Sequence, residues 1–241
     1  MNLKGVILAG GTGSRLRPLT NVTNKHLLPV GKMPMIFYPI HKLTAIGIEE
    51  ILVVTGVEHM GDVVSLLGSG RDFGCRFTYK VQDEAGGIAQ ALGLAEDFAA
   101  GGRLVVILGD NIFQDPLGPY AQRFSQQGAG ARVLLKKVPD PHRFGVAEIR
   151  DGMVLRVDEK PANPRSDYAV TGIYFYDSQV FQIIRTLRPS ARGELEITDV
   201  NNAYIARQAL AYDIMSGWWT DAGTFESLKR ANQLVEEAPP L

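Results

Sequence analysis

The chain has 241 residues, of which 45% are hydrophobic and 21% charged, and its net charge at pH 7 is −1. This composition is typical of a globular protein with a sizeable core, and the near-neutral charge excludes a long-range field for nucleic acid or an anionic membrane. The one cysteine, Cys75, can form no internal disulfide, and its spacing to the four histidines matches no metal-binding pattern. The apolar run from Gly5 to Ala9 is too short for a signal peptide, and no segment approaches the roughly 18 apolar residues of a membrane span. We therefore expect a cytoplasmic protein that binds neither nucleic acid nor membrane.

The first half of the chain alternates short β-branched runs with helical patterns. Strands that are apolar on both faces and separated by helices predict a parallel sheet that is covered on two sides. The predicted strands are residues 4–10, 49–56, 76–82 and 103–110. The predicted helices are residues 34–47, beginning at Pro34, then 59–68 and 87–100.

In the middle of the chain the alternation of strand and helix patterns is interrupted. Runs at 131–138, 145–149 and 153–159 lie close together, and Asp151-Gly152 predicts a hairpin turn between the last two. We interpret them as antiparallel strands inserted beside the parallel sheet. The alternating pattern then resumes, with a strand at 169–177, helices at 178–188 and 197–208, a strand at 210–215 and a helix from about Thr224.

No linker or repeat divides the chain, and only the tail at 236–241 has the composition of a loose segment. We therefore expect a single α/β domain over residues 1–241. Its architecture is predicted to be a three-layer, Rossmann-like, mainly parallel sheet with helices on both faces and a small antiparallel insertion.

A glycine-rich loop follows the first strand in "LAGGTGSRLRPLT", residues 8–20. Such a loop can hold a phosphate, because glycines allow positive φ and leave backbone N–H groups free to face an anion. A dinucleotide fingerprint would need a glycine where Leu16 stands, and a Walker loop would need Ser or Thr where Met33 follows Gly-Lys. Two spaced cations suit a triphosphate instead, with the fork of Arg15 on the leaving phosphates and Lys25 as a point charge. The alternative is an ordinary glycine turn with solvent-facing arginines.

Two aspartates follow predicted strands. Asp110 ends the buried strand of "VVILGDN", and Asp221 in "GWWTDAGT" follows the last strand. Ligands of open α/β sheets bind at the carboxyl ends of strands, and Mg²⁺ is usually held by one or two carboxylates plus substrate phosphates. Each aspartate could instead cap a helix.

Six motifs together resemble the sugar-1-phosphate nucleotidylyltransferases over nearly the whole chain, and they come nearest to the thymidylyl-transferring members. The motifs are "GGTGSRLRPLT", "NKHLLPV", "LGDNIF", "EKP", "YAVTGIYFYD" and "PSARGELEITDVN". The resemblance implies the nucleotide-diphospho-sugar transferase fold, Mg²⁺ as cofactor, and transfer of a nucleotidyl group from dTTP to a hexose 1-phosphate, α-D-glucose 1-phosphate, with release of pyrophosphate. UTP in place of dTTP stays open, because the loop Asp83–Gly86 departs from the family's proline-rich turn.

The resemblance also implies a role for individual residues. For the nucleotide it implies Leu8, Gly10, Gly11, Thr12, Gly13, Arg15, Lys25, Gln82 and Gly87, with the Gln82 amide at the edge of the base. For the sugar phosphate it implies Asn111, Gly145, Glu159, Lys160, Val170 and Arg192. For Mg²⁺ it implies Asp110 and Asp221, and for catalysis Arg15, Lys25 and Asp110. The sugar phosphate would attack the α-phosphorus directly, so that no general base is needed.

Two other functions remain open. A regulatory or binding paralogue would be expected to lose Arg15, Lys25, Asp110 or Asp221, and all four are present. A metal-dependent glycosyltransferase usually carries an Asp-x-Asp pair, which this sequence lacks. Longer family members use a C-terminal helical extension for regulation and subunit contacts, so for this chain a homo-oligomer through other surfaces stays open.

Overall fold

The structure is a computed structural model that describes residues 3–240. The strands are β1 Leu3–Ala9, β2 Pro29–Val30, β3 Met33–Pro34, β4 Glu50–Gly56, β5 Arg76–Gln82, β6 Arg103–Leu108, β7 Asn111–Phe113, β8 Ala131–Lys137, β9 Gly145–Arg150, β10 Met153–Glu159, β11 Tyr168–Tyr176, β12 Leu210–Ile214 and β13 Trp219–Asp221. The helices are α1 Phe37–Thr44, α2 Met60–Leu67, α3 Ile88–Gly93, α4 Glu96–Ala99, α5 Gly118–Gln126, α6 Gln179–Thr186, α7 Ile197–Ala206 and α8 Phe225–Glu237. Short 3₁₀ turns lie at Ser14–Leu16, Leu19–Asn21, Lys25–Leu27, Arg71–Phe73 and Pro141–Arg143.

Nine strands form one mixed sheet with a parallel half. Strands β6, β1, β4 and β5 lie side by side and parallel, with Val6 of β1 opposite Leu52 on one side and Val106 on the other. Connecting parallel neighbours requires crossovers, and helices supply them. The predicted α/β architecture with a mainly parallel sheet is confirmed.

Strand β11 joins the parallel half to the rest of the sheet. It runs antiparallel to β6 along Ile173–Tyr176 and pairs with β9 at Ala169, while β8 occupies its other edge. Strands β6 and β9 therefore follow one another along the same edge of β11. The gap between them lies beside Val170 and Gly172, and it opens at the carboxyl end of β6, where ligands of α/β sheets bind.

The sheet is covered on both faces because its buried strands alternate their side chains between two apolar layers. In β1, Val6 and Leu8 face a layer built with α3, α6 and α7, whereas Ile7 and Ala9 face a layer built with α1, α2 and α5. Cys75 is buried beside the second layer, and burial raises the pKa of its thiol. A buried thiol of this kind behaves as a small apolar side chain.

The structure differs from the predicted elements in four respects. The helix predicted from Pro34 begins at Phe37, because Met33–Pro34 pairs with Pro29–Val30 as a short hairpin. The helix predicted at 87–100 is divided into α3 and α4. Strand β8 belongs to the main sheet, between β11 and β12, so that only β9 and β10 form the predicted hairpin. Helix α5 and the β7–β13 pair were not predicted at all.

The tail predicted to be loose is held in place over the part that the structure describes. Helix α8 continues to Glu237, and Pro240 is buried. The Nζ atom of Lys42 donates a hydrogen bond to the Pro240 carbonyl at 2.6 Å, and Trp218 Nε1 donates to the Ala238 carbonyl at 2.9 Å. Among residues 3–240, no helix is both long enough and apolar enough to span a membrane.

Candidate active site

The glycine loop leaves β1 as an open turn. Gly11 and Gly13 adopt positive φ values of 90° and 59°, which only glycine adopts without strain. Leu16, which breaks the dinucleotide fingerprint, is fully buried, and its N–H donates to the Gly13 carbonyl at 2.9 Å. The Thr20 hydroxyl donates to the same carbonyl at 2.9 Å. The core thus anchors the loop from below and leaves Arg15 exposed at the cleft.

Two cavities meet where the loop faces the end of β6. One has a volume of about 260 Å³ and contains Leu8, Gly10, Gly11, Lys25, Gln82 and Gly87 in its wall. The other has a volume of about 170 Å³ and contains Asn111, Gly145, Glu159, Lys160, Val170 and Asp221. We call them the nucleotide cavity and the sugar cavity, after the predicted roles of these residues. Both walls share Arg15, Ile88, Leu108 and Asp110.

In the nucleotide cavity, Gln82 presents an acceptor rather than a donor. Its Nε2 donates to the Gly87 carbonyl at 3.2 Å and to Gln90 Oε1 at 2.7 Å, so both amide hydrogens are used. Its Oε1 lies 2.7 Å from the position that a Cβ on Gly10 would occupy. The close approach explains why Gly10 has no side chain, and it places a carbonyl oxygen at the cavity wall.

Gly87 is as tightly constrained as Gly10. Its φ is +99°, and a Cβ there would lie 2.5 Å from the Leu195 carbonyl oxygen. The other two loop residues predicted to bind the nucleotide, Thr12 and Gly13, are not part of either cavity wall. Their role stays a prediction.

Lys25 and Asp110 form an ion pair where the cavities meet. The Lys25 Nζ atom lies 2.6 Å from Asp110 Oδ2, and Asn111 Nδ2 donates to Asp110 Oδ1 at 3.0 Å. Burial alone would raise the pKa of Asp110, but Lys25, His26 and these hydrogen bonds hold that pKa well below its usual range. Asp110 is therefore an ionised carboxylate throughout the neutral pH range.

The short β7–β13 pair brings the second aspartate to the first. In its antiparallel register Asp221 lies opposite Asn111, and the Ala222 N–H donates to the Asp110 carbonyl at 2.9 Å. A Cβ on Gly223 would lie 3.3 Å from Asp221 Oδ2 and 3.4 Å from Asp110 Oδ2. The two carboxylates therefore face a common space beside Gly223.

Neither aspartate caps a helix, which was the alternative reading of both. The N-cap of α8 is Thr224, whose hydroxyl accepts from the Ser227 N–H in a capping box. Burial and the neighbouring Asp110 carboxylate raise the pKa of Asp221, against the opposing charges of Arg143 and Arg15. A buried carboxylate next to a second one is typical of a site that binds a cation.

The residues present fit a divalent cation that also binds substrate phosphate. Residues 3–240 contain no group of three or more His, Cys, Asp or Glu side chains that could hold a metal alone. Mg²⁺ keeps several waters and commonly uses one or two carboxylates plus phosphate oxygens. The paired Oδ2 atoms of Asp110 and Asp221 match that requirement, and Arg15 Nη2 lies 3.2 Å from the same Gly223 Cβ position.

The sugar cavity holds its predicted carboxylate in a fixed orientation. Glu159 Oε2 accepts from the Thr198 hydroxyl at 2.6 Å, and Glu159 Oε1 pairs with Arg192 Nη2 at 3.2 Å. Arg192 is also paired with Glu196 at 2.8 Å and is not part of the cavity wall. Lys160 follows with a positive φ of 43°, and its N–H donates to the Phe144 carbonyl at 3.0 Å. The strand end thus fixes the Glu159 carboxylate and the backbone of Lys160, whose side chain is exposed.

Asn111 lines the sugar cavity, but its amide mostly organises the wall. Its Oδ1 accepts from the Gly172 N–H at 2.9 Å and from Trp219 Nε1 at 2.7 Å. Its Nδ2 donates to Asp110, which leaves one N–H for a ligand.

Several residues of the sugar cavity were missed by the sequence reasoning. They are Ile88, Leu108, Arg143, Phe144, Gly172, Tyr174, Ile197, Thr198, Asn201 and Trp219. Phe144 precedes the predicted Gly145, but most of the others are not adjacent in the chain to any predicted residue, so sequence position gave no signal for them. Tyr174 and Trp219 give this cavity aromatic wall surface.

Comparison with known proteins gives a consistent result. The family model for the nucleotidyl transferases matches residues 4–238. The chain is 46% identical to a glucose-1-phosphate thymidylyltransferase of Actinoplanes sp. over 97% of this chain and 78% of that protein. A solved Bacillus anthracis structure, described as a glucose-1-phosphate thymidylyltransferase in complex with sucrose, is 62% identical, has a TM-score of 0.94, and covers 98% of this chain and 96% of its own. A UDP-glucose pyrophosphorylase complexed with UDP-glucose shares the fold alone, with 23% identity, a TM-score of 0.87, and coverage of 98% of this chain and 99% of its own.

Proposed function

This chain belongs to the nucleotidyl transferase family, and we propose that it transfers the thymidylyl group of dTTP to α-D-glucose 1-phosphate, giving dTDP-glucose and pyrophosphate. The names of relatives at 46% and 62% identity support this substrate pair. The observation that carries the proposal is the junction of the two cavities, where Arg15, Lys25 and Asp110 lie between the predicted nucleotide and sugar sites.

The reaction needs charge neutralisation more than acid–base chemistry. The phosphate of the sugar is already ionised and is itself the nucleophile, so it attacks the α-phosphorus in line without a general base. Two polyanions repel each other unless cations lie between them. Lys25 neutralises the region of the α-phosphate, Arg15 stabilises the leaving pyrophosphate, and Lys160 neutralises the attacking group.

We propose Mg²⁺ as the cofactor, held by the carboxylates of Asp110 and Asp221 together with substrate phosphate. When bound, the ion withdraws charge from the phosphates and lowers the barrier to attack. The protein contributes the fixed positions of the two carboxylates, which β7 and β13 hold in register. Metal binding also offsets the repulsion that raises the pKa of Asp221.

Gln82 supports a base with an N–H at its pairing edge. Since both Nε2 hydrogens are used inside the protein, Oε1 is left to accept a hydrogen bond. Thymine and uracil carry a donor at N3, whereas cytosine carries an acceptor there, so the geometry favours dTTP or UTP over CTP. UTP is the second candidate, because this contact does not read the C5 methyl group.

The test is pyrophosphate release with Mg²⁺ and glucose 1-phosphate, with dTTP, UTP, CTP, ATP and GTP offered separately. We expect release with dTTP well above the others. Release with UTP instead would keep the chemistry and change the nucleotide. Absence of release with every triphosphate and several hexose phosphates would overturn the proposal in favour of a binding paralogue.

The matched variants are Arg15→Ala and Arg17→Ala. Both arginines are exposed in the same loop, but only Arg15 borders the cavities. We expect Arg15→Ala to lower kcat by about 10²- to 10³-fold, the usual effect of removing one charge-stabilising group, while binding of glucose 1-phosphate survives. Arg17→Ala should retain turnover, and equal turnover in both variants would contradict the role of Arg15.

A further inference from the structure

Asn201 places a buried amide in the wall of the sugar cavity. The residue is 1% exposed, and its Oδ1 accepts from the Tyr176 hydroxyl at 2.7 Å. Its Nδ2 has no hydrogen-bond partner in residues 3–240. Buried polar groups are almost always paired, so an unpaired donor on a residue that borders the sugar cavity calls for an explanation.

A buried tyrosine network fixes the orientation of this amide. The Tyr176 ring is stacked between Tyr174 and Tyr204, with ring centroids 5.8 Å away on each side. The Tyr204 hydroxyl donates to Asp177 Oδ1 at 2.7 Å, which anchors the far end of the stack. Burial raises the pKa of Tyr176 well above its ordinary value, so its hydroxyl keeps the proton that it donates to Asn201. The amide oxygen of Asn201 is thereby used as an acceptor, and its Nδ2 has no partner in residues 3–240.

The position of Asn201 on α7 directs it toward the same ligand as its neighbours. Ile197 and Thr198 lie one helical turn earlier, on the same face, and both border the sugar cavity. Thr198 is already bonded to the Glu159 carboxylate. Asn201 therefore supplies a donor beside a negatively charged acceptor, and hexose hydroxyls need both kinds of partner when they are buried.

We infer that Asn201 Nδ2 donates a hydrogen bond to one hydroxyl of the bound hexose 1-phosphate and that it is a specificity-determining residue of the sugar site. This inference rests on the proposed function. It predicts that one hydroxyl, and only one, is recognised through Asn201. An unpaired buried donor is costly, so a sugar that lacks this hydroxyl leaves Nδ2 unsatisfied and is selected against.

The experiment compares glucose 1-phosphate with its 2-, 3-, 4- and 6-deoxy analogues at saturating dTTP. The variants are Asn201→Leu and Asn201→Ala, and the matched control is Asn202→Leu. Asn202 is the next residue of the same helix, its amide bonds the backbone of Val157, and it is not part of the cavity wall. The control thus removes an asparagine of α7 without touching the proposed contact.

We expect Asn201→Leu to lower kcat/KM for glucose 1-phosphate by about 10- to 100-fold, the usual cost of losing a buried hydrogen bond in a site. For the one deoxy analogue that lacks the partner hydroxyl, the kcat/KM values of the variant and the wild type should agree within about threefold. Asn201→Ala should show the same pattern. Asn202→Leu should change kcat/KM by the same factor for all five substrates. An equal loss for every substrate in the Asn201 variants would assign a purely structural role and overturn the inference.

The same comparison separates this inference from the proposed function. If the wild type releases no pyrophosphate, the five sugar phosphates are titrated calorimetrically onto the same proteins. If the Asn201 variants lose affinity for the four sugar phosphates that carry the partner hydroxyl but not for the fifth, the Asn201 contact is supported even though the transfer reaction fails. Failure of the wild type to bind any of the five would overturn both.

Discussion

His26 shows how one residue supports another, Lys25, for which we propose a role in the reaction. Its Nδ1 lies 2.7 Å from Asn24 Oδ1, so Nδ1 carries the proton and donates. The ring packs so closely on Gly109 that a Cβ there would lie 2.7 Å from His26 Cδ2. Burial first, and then the Lys25 charge, lower the pKa of His26 to about 3. The ring is therefore a neutral support beneath the turn that presents Lys25 to Asp110.

This burial predicts a pH dependence of stability. The unfolded chain binds a proton on His26 below its ordinary pKa of 6.5, whereas the folded chain does so only near 3. Between these values the unfolded state holds more protons, so the free energy of unfolding falls as the pH is lowered from about 6.5 to about 3. We expect His26→Gln to lose this part of the pH dependence in urea unfolding curves. The exposed His142, changed to Gln, is the control, and equal slopes in all three proteins would contradict the assignment.

At the scale of elements, short pieces of structure decide the geometry of the site. Strands β7 and β13 have three residues each, yet their register places Asp221 beside Asn111 and next to Asp110. Helix α8 follows directly, and its capping box joins the Thr224 and Ser227 side chains and backbone. The cap therefore holds the start of the helix three residues beyond a predicted metal ligand.

The cap can be tested by substitution. Thr224→Ala removes the acceptor for the Ser227 N–H and should lower the free energy of unfolding by about 1 kcal/mol, the usual cost of losing an N-cap. Thr224→Ser keeps the hydroxyl and should retain most of the stability. Both are measured by urea denaturation followed by circular dichroism. A Ser variant as unstable as the Ala variant would show that the methyl group, and not the cap, contributes the stability.

At the scale of the whole molecule, the cleft joins parts of the chain that lie far apart in sequence. The glycine loop and β6 come from the first half, whereas α7 and β13 come from the last quarter. All of these except β13 are built on, or packed against, the nine-stranded sheet. We propose that the chain unfolds as one unit, in a single cooperative transition.

Metal removal tests the link between the cleft and global stability. A ligand that binds only the folded state raises its stability, so Mg²⁺ with dTTP should raise the Tm of the wild type. EDTA should reverse the part of this rise in Tm that Mg²⁺ causes, which we call the metal increment, and should stop turnover. Asp221→Asn should lose that increment and the turnover. Because burial, and then repulsion by Asp110, raise the pKa of Asp221, the variant without ligands should unfold at no lower temperature than the wild type. A metal increment that survives in Asp221→Asn, measured by thermal unfolding, would contradict the predicted metal site.

The local sequence pattern was sufficient to predict the alternating strands and helices of this protein. The apolar runs at 49–56 and 103–110 predicted buried parallel strands, because only a sheet covered on both faces buries every residue of a strand. The hairpin at Asp151-Gly152 was also predicted, since both residues adopt the positive φ that this turn requires. The open turn after β1 was also predicted from its glycines, and the roles of Arg15 and Lys25 as its phosphate-binding cations stay a prediction.

Long-range pairing decided the rest, and no local pattern encodes it. The register of β7 and β13 brings Asp221 beside Asp110, and Thr224 rather than Asp221 is the N-cap of α8, whereas the predicted metal role of Asp221 stays a prediction. No local pattern singles out Asn201, and only packing against Tyr176 uses its oxygen as an acceptor and leaves its nitrogen without a partner in residues 3–240. The tail at 236–241 looked loose because its anchor, Lys42, lies almost the whole chain away. Composition and periodicity choose the elements, whereas the contacts that build a site depend on which elements the folded chain brings together.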